Sequence, residues 1–283
     1  LMAALEKTLS ATISFEDQVR SQVDSEDYWF HKMELLPGLV TPGWSDPKAD
    51  KLPFYGLPDD MSGMRVLDVG CAEGFFSFEA ERRGADEVIA IDSYPSSIRR
   101  FNICRAALNS NAVAYLSNVY DLNPKTIGTF DLVMFYGVLY HLRNPMLALE
   151  KIFKVSSGSL LIQTATYGDA NRMVQTFRKV KRTAKTVLKV LRGANAQHDN
   201  NEHGIPLAKF YPFGLTSGPN NENVDPTVFW LPNNDCVEAM LASTGFENIK
   251  IVTANPQISL CMRAESPVRT AGTAPDETKA PWS

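Results

Sequence analysis

The stretch Val66-Leu-Asp68-Val-Gly70-Cys71-Ala72-Glu-Gly74-Phe75 starts as an apolar run, breaks on small residues and resumes as a helical pattern. The spacing predicts a strand, a tight turn and a helix over Phe75–Arg83. A turn this poor in side chains lets the backbone close on a ligand at the carboxyl edge of a sheet. Asp92 ends the next apolar run, Val88-Ile-Ala-Ile, 24 residues after Asp68. A carboxylate placed there accepts from both hydroxyls of a ribose, with Ser93 beside it. Strand, glycine turn, helix, strand and acid make the plan on which a doubly wound fold holds a nucleoside. The order of the small residues then narrows the ligand. Dinucleotide binding uses Gly-x-Gly-x-x-Gly, with a pyrophosphate at the helix N-terminus. Here Asp68 leads and Ala72 stands in the middle, which suits a ligand with no phosphate and a cationic amino-acid end.

A second chemically loaded stretch is Phe130-Asp-Leu-Val-Met-Phe-Tyr136-Gly137-Val-Leu-Tyr140-His141. Ligands of open α/β sheets sit outside the carboxyl ends of strands, so Tyr136, Gly137, Tyr140 and His141 belong at the reacting end of the site. Removing a hydroxyl proton near neutral pH is histidine chemistry. The chain has four histidines: His31, His141, His198 and His203. His141 is adjacent to the expected reaction centre, either as general base or in a packing and hydrogen-bonding role. His31 lies in the aromatic loop Trp29-Phe-His31, where a substrate-facing role is open to it and to Trp29. His198-Asp199 and Glu202-His203 hold metal-capable ligands without a recognised zinc spacing, and a solvated lid explains them better than a metal site.

The turn with Asp92 resembles the first motif of the class I S-adenosylmethionine-dependent methyltransferases. Gly137-Val-Leu-Tyr-His141, with Phe229-Trp-Leu-Pro232 before a late helix and Gly245-Phe246 after it, resembles the branch that holds the tRNA wobble-uridine carboxymethyltransferases and many bacterial small-molecule methyltransferases. The loop Trp29-Phe-His31, Pro37-Gly38 and Thr41-Pro-Gly43 is similar to the second group in particular. The resemblance spans about Asp27 to Arg263 and implies S-adenosyl-L-methionine as cofactor and S-adenosyl-L-homocysteine as product. Position by position, it implies that Asp68, Gly70, Cys71 and Gly74 shape the methionine pocket and that Asp92 and Ser93 hold the ribose. Asn118 and Val119 would meet the adenine, although the usual acid there is Asn118 here. Tyr136 would line the sulfonium pocket, and Tyr140 matches a tyrosine that helps hold the extra carboxylate of a carboxylated cofactor. The carboxymethyltransferase's Trp-Arg-Lys stretch is missing, and Gln257 stands where it has an arginine. Without those cations a carboxylate loses its charge-assisted partners, so plain S-adenosylmethionine and methyl transfer are expected.

The elements that must position these residues alternate regularly. Strands are expected over Arg65–Val69, Glu87–Asp92, Ala112–Ser117, Phe130–Tyr136 and Ser159–Ala165, with two closing strands over Phe246–Thr253 and Gln257–Arg263. Helices are expected over Phe75–Arg83, Ser96–Leu108, Asn144–Lys154 and, capped by Asn233 or Asn234, Asp235–Thr244. This pattern gives an α/β fold: a doubly wound, mostly parallel seven-stranded sheet of the Rossmann-like methyltransferase kind. Residues 1–60 form an N-terminal helix (Ala3–Val23) and aromatic loop, 61–264 the methyltransferase domain, and 265–283 a disordered tail.

The 283 residues carry a formal charge of −4. Eight basic residues and no acid fall between Arg172 and Arg192. Their apolar period predicts an inserted basic helix over Arg172–Arg192, followed by a polar loop or lid over Asn195–Thr227, the whole insert covering about 170–228. That helix is open to three roles: a packed lid, a phosphate contact along RNA, or a peripheral contact with an anionic membrane. No apolar run is long enough to span a membrane, and Leu1–Arg20 lacks a signal peptide's pattern. Cys71, Cys104, Cys236 and Cys261 are widely spaced, as free thiols of a reducing cytoplasm would be.

The expected activity is methyl transfer to a hydroxyl of a small molecule or glycan. An RNA-modifying enzyme is the alternative. A cofactor-binding protein without catalysis, acting through its basic helix, is a third reading that Tyr140-His141 argues against.

Overall fold

The computed structural model describes residues 13–167, 206–212, 225–255 and 259–267. The chain enters through α1 (Phe15–Asp24), a hairpin of β1 (Glu34–Leu36) and β2 (Leu39–Val40), and the single turn α2 (Pro47–Asp50). It then alternates through β3 (Arg65–Val69), α3 (Phe75–Arg82), β4 (Glu87–Asp92), α4 (Pro95–Leu108), β5 (Val113–Leu116), the short α5 (Pro124–Ile127), β6 (Phe130–Tyr136), α6 (Pro145–Val155) and β7 (Ser156–Thr164). The remaining described elements are β8 (Ala208–Phe210), β9 (Trp230–Pro232), α7 (Asn234–Thr244), β10 (Glu247–Asn255) and β11 (Ser259–Glu265).

Seven strands form the central sheet, in the order β10-β11-β7-β6-β3-β4-β5. β11 runs antiparallel to both neighbours, and β7, β6, β3, β4 and β5 are mutually parallel. The chain winds outward from β3 through β4 to β5, then returns to the other side of β3 as β6. The carboxyl ends of β3 and β6 therefore flank the crevice where such sheets bind ligands. Both faces are covered, as the near-continuous apolar runs of β3 and β6 require. One core packs α3, α4 and the N-terminal segment around Phe76, Phe101, Trp29, Met33, Val19 and Val23. The other packs α6 and α7 through Leu149, Ile152, Val237 and Leu241.

The sequence expectations meet this architecture to within a few residues, and α7 is capped as expected, with Asn233 Oδ1 accepting from the Cys236 N–H at 2.8 Å. Two expectations need correction. Glu265 still pairs with Ser159 in β11, and the Ser266 N–H donates to the Gly158 carbonyl at 2.8 Å, so the order extends past the expected start of the tail. Ala208–Phe210, expected within a loop, pairs antiparallel with β9, because its backbone groups find partners along that edge. The basic segment 172–192, His198–His203, Gln257 and residues 268–283 lie outside the described residues. Among the described residues no helix is long and apolar enough to cross a membrane, and no cluster of His, Cys, Asp or Glu could hold a metal ion.

Candidate functional site

The glycine turn follows β3 directly. Gly70 and Gly74 have φ of +79° and +92°, the left-handed region open to glycine. Space demands them too: a Cβ on Gly70 would lie 2.4 Å from Val138 Cγ2, and one on Gly74 2.5 Å from the Phe101 ring. The turn is thus pressed against the segment after β6 on one side and against α4 on the other. Its backbone is fixed by the Ile91 carbonyl, which accepts from the N–H groups of Gly70 (2.8 Å) and Cys71 (3.2 Å). The Cys71 thiol is buried, and burial pushes it well above its ordinary range, so it stays protonated.

Asp92 ties the second strand to the turn. One carboxylate oxygen accepts from the Ala72 N–H at 3.1 Å and the other from the Tyr94 N–H at 2.9 Å. The Ser97 side chain also hydrogen-bonds this carboxylate, which leaves it one further lone pair for a ligand hydroxyl. Asp68 lies beneath the turn and accepts from the Ser77 hydroxyl at 2.6 Å. Burial, with Asp92 adding like-charge repulsion, pushes the Asp68 carboxyl up to about 7. Burial also raises Asp92. No cation among the described residues offsets either group, so this edge matches a ligand that brings its own positive charge.

The remaining cofactor candidates are spread along the same rim. Ser93 is exposed beside Asp92. Asn118 Oδ1 accepts from the Tyr120 N–H at 3.1 Å, capping the 3-10 turn Val119–Asp121, which leaves its amide N–H groups as its means of meeting a base. The Val119 side chain turns inward into the core under α6, so only its backbone is available to an adenine. Tyr136 is buried: its hydroxyl donates to the Tyr55 carbonyl at 3.2 Å, and its ring packs between Tyr55 and Phe76.

Past β6, Tyr140 and His141 sit in a 3-10 turn, Leu139–His141, with ring centroids 4.0 Å apart. Burial raises the Tyr140 hydroxyl to about 12, so it remains a donor at neutral pH. His141 Nδ1 lies 3.0 Å from the Thr227 carbonyl and 2.9 Å from Thr227 Oγ1. The Thr227 hydroxyl donates to Asp225 at 2.6 Å. Both Thr227 oxygens thus face His141 as acceptors, so Nδ1 carries the proton and Nε2 keeps the lone pair. Burial lowers the His141 pKa, favouring the neutral ring. Beside this turn lies a largely apolar cavity of about 450 Å³, lined by Leu139, Arg143, Met146, Trp230, Pro232 and Met240 among others.

Trp29 and His31 are a correction to the substrate-facing expectation. Trp29 is 3% exposed and donates its indole N–H to the Val23 carbonyl at 3.1 Å, anchoring α1 in the core. His31 is 4% exposed, with Nδ1 3.2 Å from a Glu73 carboxylate oxygen. The aromatic residues of this loop divide: Trp29 fills the core, whereas Phe30 packs edge-on against Trp44, which is exposed. Sequence reasoning missed Glu73, Lys51, Arg100, Thr227 and Asp225. A charged Glu73 inside a turn of small residues was a readable signal for a buried partner. Nothing in the spacing pointed from Thr227 to His141.

Residues 60–208 match the family described as Methyltransferase domain. The chain belongs to that family, and family and fold together put it in the S-adenosylmethionine-dependent class. Among curated proteins it is similar to the tRNA U34 carboxymethyltransferase of Geobacter sp. (strain M21), 31% identical over 42% of this chain and 37% of the relative. It is also similar to the same-named protein of Citrifermentans bemidjiense, 28% identical over 55% of this chain and 51% of the relative. The matches thus span between about a third and a half of those relatives' length. Among solved structures it is similar to the N-terminal domain of EvdMO1 with SAH bound, at TM-score 0.58 and 16% identity over 90% of this chain and 98% of that one. The same domain solved in the presence of SAH and D-fucose gives TM-score 0.56 and 18% identity over 89% and 97%. At such identity the likeness is one of fold.

Proposed function

We propose that the chain transfers a methyl group from S-adenosylmethionine to a hydroxyl of a small molecule or sugar, with His141 as general base. The observation that carries this is the hydrogen bonding of His141, which fixes the ring as the neutral tautomer with its Nε2 lone pair uncommitted to Thr227. The bound cofactor supplies an electrophilic methyl on a positive sulfur. Asp92, the turn and Asp68 hold and electrostatically complement it. Tyr140, kept protonated, would donate a hydrogen bond to the acceptor, and His141 Nε2 would take the hydroxyl proton as the oxygen–carbon bond forms and the methyl carbon–sulfur bond breaks, with S-adenosylhomocysteine leaving. Displacement at carbon is in line, so orientation supplies much of the acceleration. The absence of Trp-Arg-Lys favours the plain cofactor over a carboxylated one; preferential turnover with the carboxylated cofactor would overturn that.

A second reading, modification of RNA, is favoured by the names of the curated relatives and by the basic run Arg172–Arg192. One experiment separates the two. Purified protein is incubated with methyl-labelled S-adenosylmethionine and matched RNA and small-molecule or glycan extracts, with sugars included because one fold neighbour was solved in the presence of D-fucose. Label in a nuclease-resistant metabolite or glycan supports the first reading. Label in nuclease-sensitive tRNA overturns it.

A further inference from the structure

Glu73 is the charged residue of the glycine turn, yet its side chain is fully buried and points away from the sheet edge into the N-terminal segment. Three groups meet it. The Phe30 N–H donates to Oε1 at 2.8 Å. Arg100 of α4 brings its Nε to 3.3 Å from the same oxygen. His31 Nδ1 lies 3.2 Å from Oε2. On its far side, His31 Nε2 is 3.3 Å from Lys51 Nζ. An ammonium has no lone pair, so Nε2 must accept and Nδ1 must carry the proton. A neutral His31 thus bridges a buried carboxylate and a half-buried ammonium. The other charges around it are Glu26, within 3.8 Å of Arg100 and paired with Arg99, and Asp50, which acts on Lys51 through space. His31 Nδ1, Glu73 Oε2 and Arg100 Nε are held close together but without well-aligned hydrogen bonds.

We propose that Glu73 is a positioning residue for the cofactor turn, and that protonation of His31 ejects Lys51, loosens the N-terminal segment from the turn and weakens cofactor binding in acid. With both ring nitrogens as donors, Nε2–H would face the Lys51 ammonium, placing two cations and two donors in one contact. The acceptor for the Nε2 side disappears and the segment must shift. Burial, aided by Lys51, outweighs the opposing pull of Glu73 and lowers the His31 pKa below 6.5, which keeps the bridge intact at neutral pH. Lys51 is itself lowered to about 8, so it is still mostly charged there. The proposal rests on the cofactor assignment and is independent of which acceptor is methylated.

The test is calorimetric titration of the full chain with S-adenosylhomocysteine from about pH 7.5 to about pH 5.5. Asp68 and Asp92 give every protein a common acid-side loss, so the readout is the difference between variants. Wild type is expected to lose about tenfold more affinity over that range than His31→Asn or Lys51→Met, which cannot form the clash. Glu73→Gln should bind about tenfold more weakly at neutral pH. If Glu73→Gln does not fold, the Lys51→Met arm still decides, since Met keeps the apolar stem of this half-buried side chain and removes only the charge. Unchanged acid-side loss in both His31→Asn and Lys51→Met overturns the proposal. No binding by wild type at any pH would instead overturn the cofactor assignment.

Discussion

The two edges of the crevice, which the proposed function assigns to cofactor and acceptor, are built differently. On the cofactor edge, Asp92 reaches back 20 residues to Ala72 and forward two to Tyr94, and the turn is locked by sterics at Gly70 and Gly74. On the acceptor edge, His141 takes its orientation from Thr227, 86 residues away. The first edge is a local unit of strand, turn and strand that any ligand of this shape can use. The second is assembled from distant segments and can be rewired without disturbing the sheet. Val138, against which Gly70 packs, is where the two touch. On the proposed function, cofactor holding would be coupled to fold integrity, whereas acceptor chemistry would depend on a few side chains set late in the chain.

The largest effect should separate the edges most sharply. His141→Gln is expected to slow label transfer by about a hundredfold to a thousandfold while leaving S-adenosylhomocysteine affinity within about twofold. Full turnover in that variant would remove His141 from the mechanism and return it to a hydrogen-bonding role. The wild-type rate should fall as pH drops through a midpoint below 6.5, because the base acts deprotonated and burial lowers its pKa. The matching change on the other edge, Asp92→Ala, should cost about a hundredfold in cofactor affinity by calorimetry, since it removes a charged acceptor from the Ala72 and Tyr94 amides as well as from the ligand. Thermal unfolding run alongside separates lost binding from lost fold.

This contrast also explains what could be read in advance. β3, the turn, β4 and β6 were legible because burial on both faces writes continuous apolar runs, and because a left-handed turn pressed on Phe101 and Val138 admits little but glycine. Asp68 and Asp92 were legible by spacing within that unit. Trp29 and His31 were not. An aromatic loop beside a site looks the same in sequence whether its rings face a substrate or fill a core, and only the Val23 carbonyl and Glu73 decide it here. Thr227 carries no local signal at all, because its role exists only once β9 and the turn after β6 have come together.

A smaller effect tests whether Thr227 matters through His141. Thr227→Val keeps the carbonyl that accepts from Nδ1 but deletes the hydroxyl that links it to Asp225. Turnover should fall about tenfold with cofactor affinity unchanged. A Thr227→Ser variant should restore most of it. Equal loss in Ser and Val would mean that the segment's packing, and not the hydroxyl, sets the effect.

The smallest effect has opposite signs on stability and on binding. Asp68 is fully buried, and its folded pKa of about 7 lies well above the ordinary 3.8. A folded state that holds its proton more tightly is favoured where Asp68 is protonated in both states, and that advantage is lost as pH rises from 3.8 towards 7. Above that window the ionised carboxylate is a standing cost to the free protein. Asp68→Asn keeps an oxygen to accept from the Ser77 hydroxyl and removes the charge. The variant should thus be more stable than wild type by about 1 kcal/mol at mildly alkaline pH, with the difference shrinking as pH falls. Its affinity for S-adenosylmethionine should drop about tenfold, because a cationic ligand loses its buried counter-charge. Denaturant unfolding across pH and calorimetry on the same protein give both numbers. A variant that is less stable above neutral pH would show that the carboxylate is held by more than the Ser77 hydroxyl. A variant that binds as well as wild type would show that Asp68 serves the turn and not the ligand.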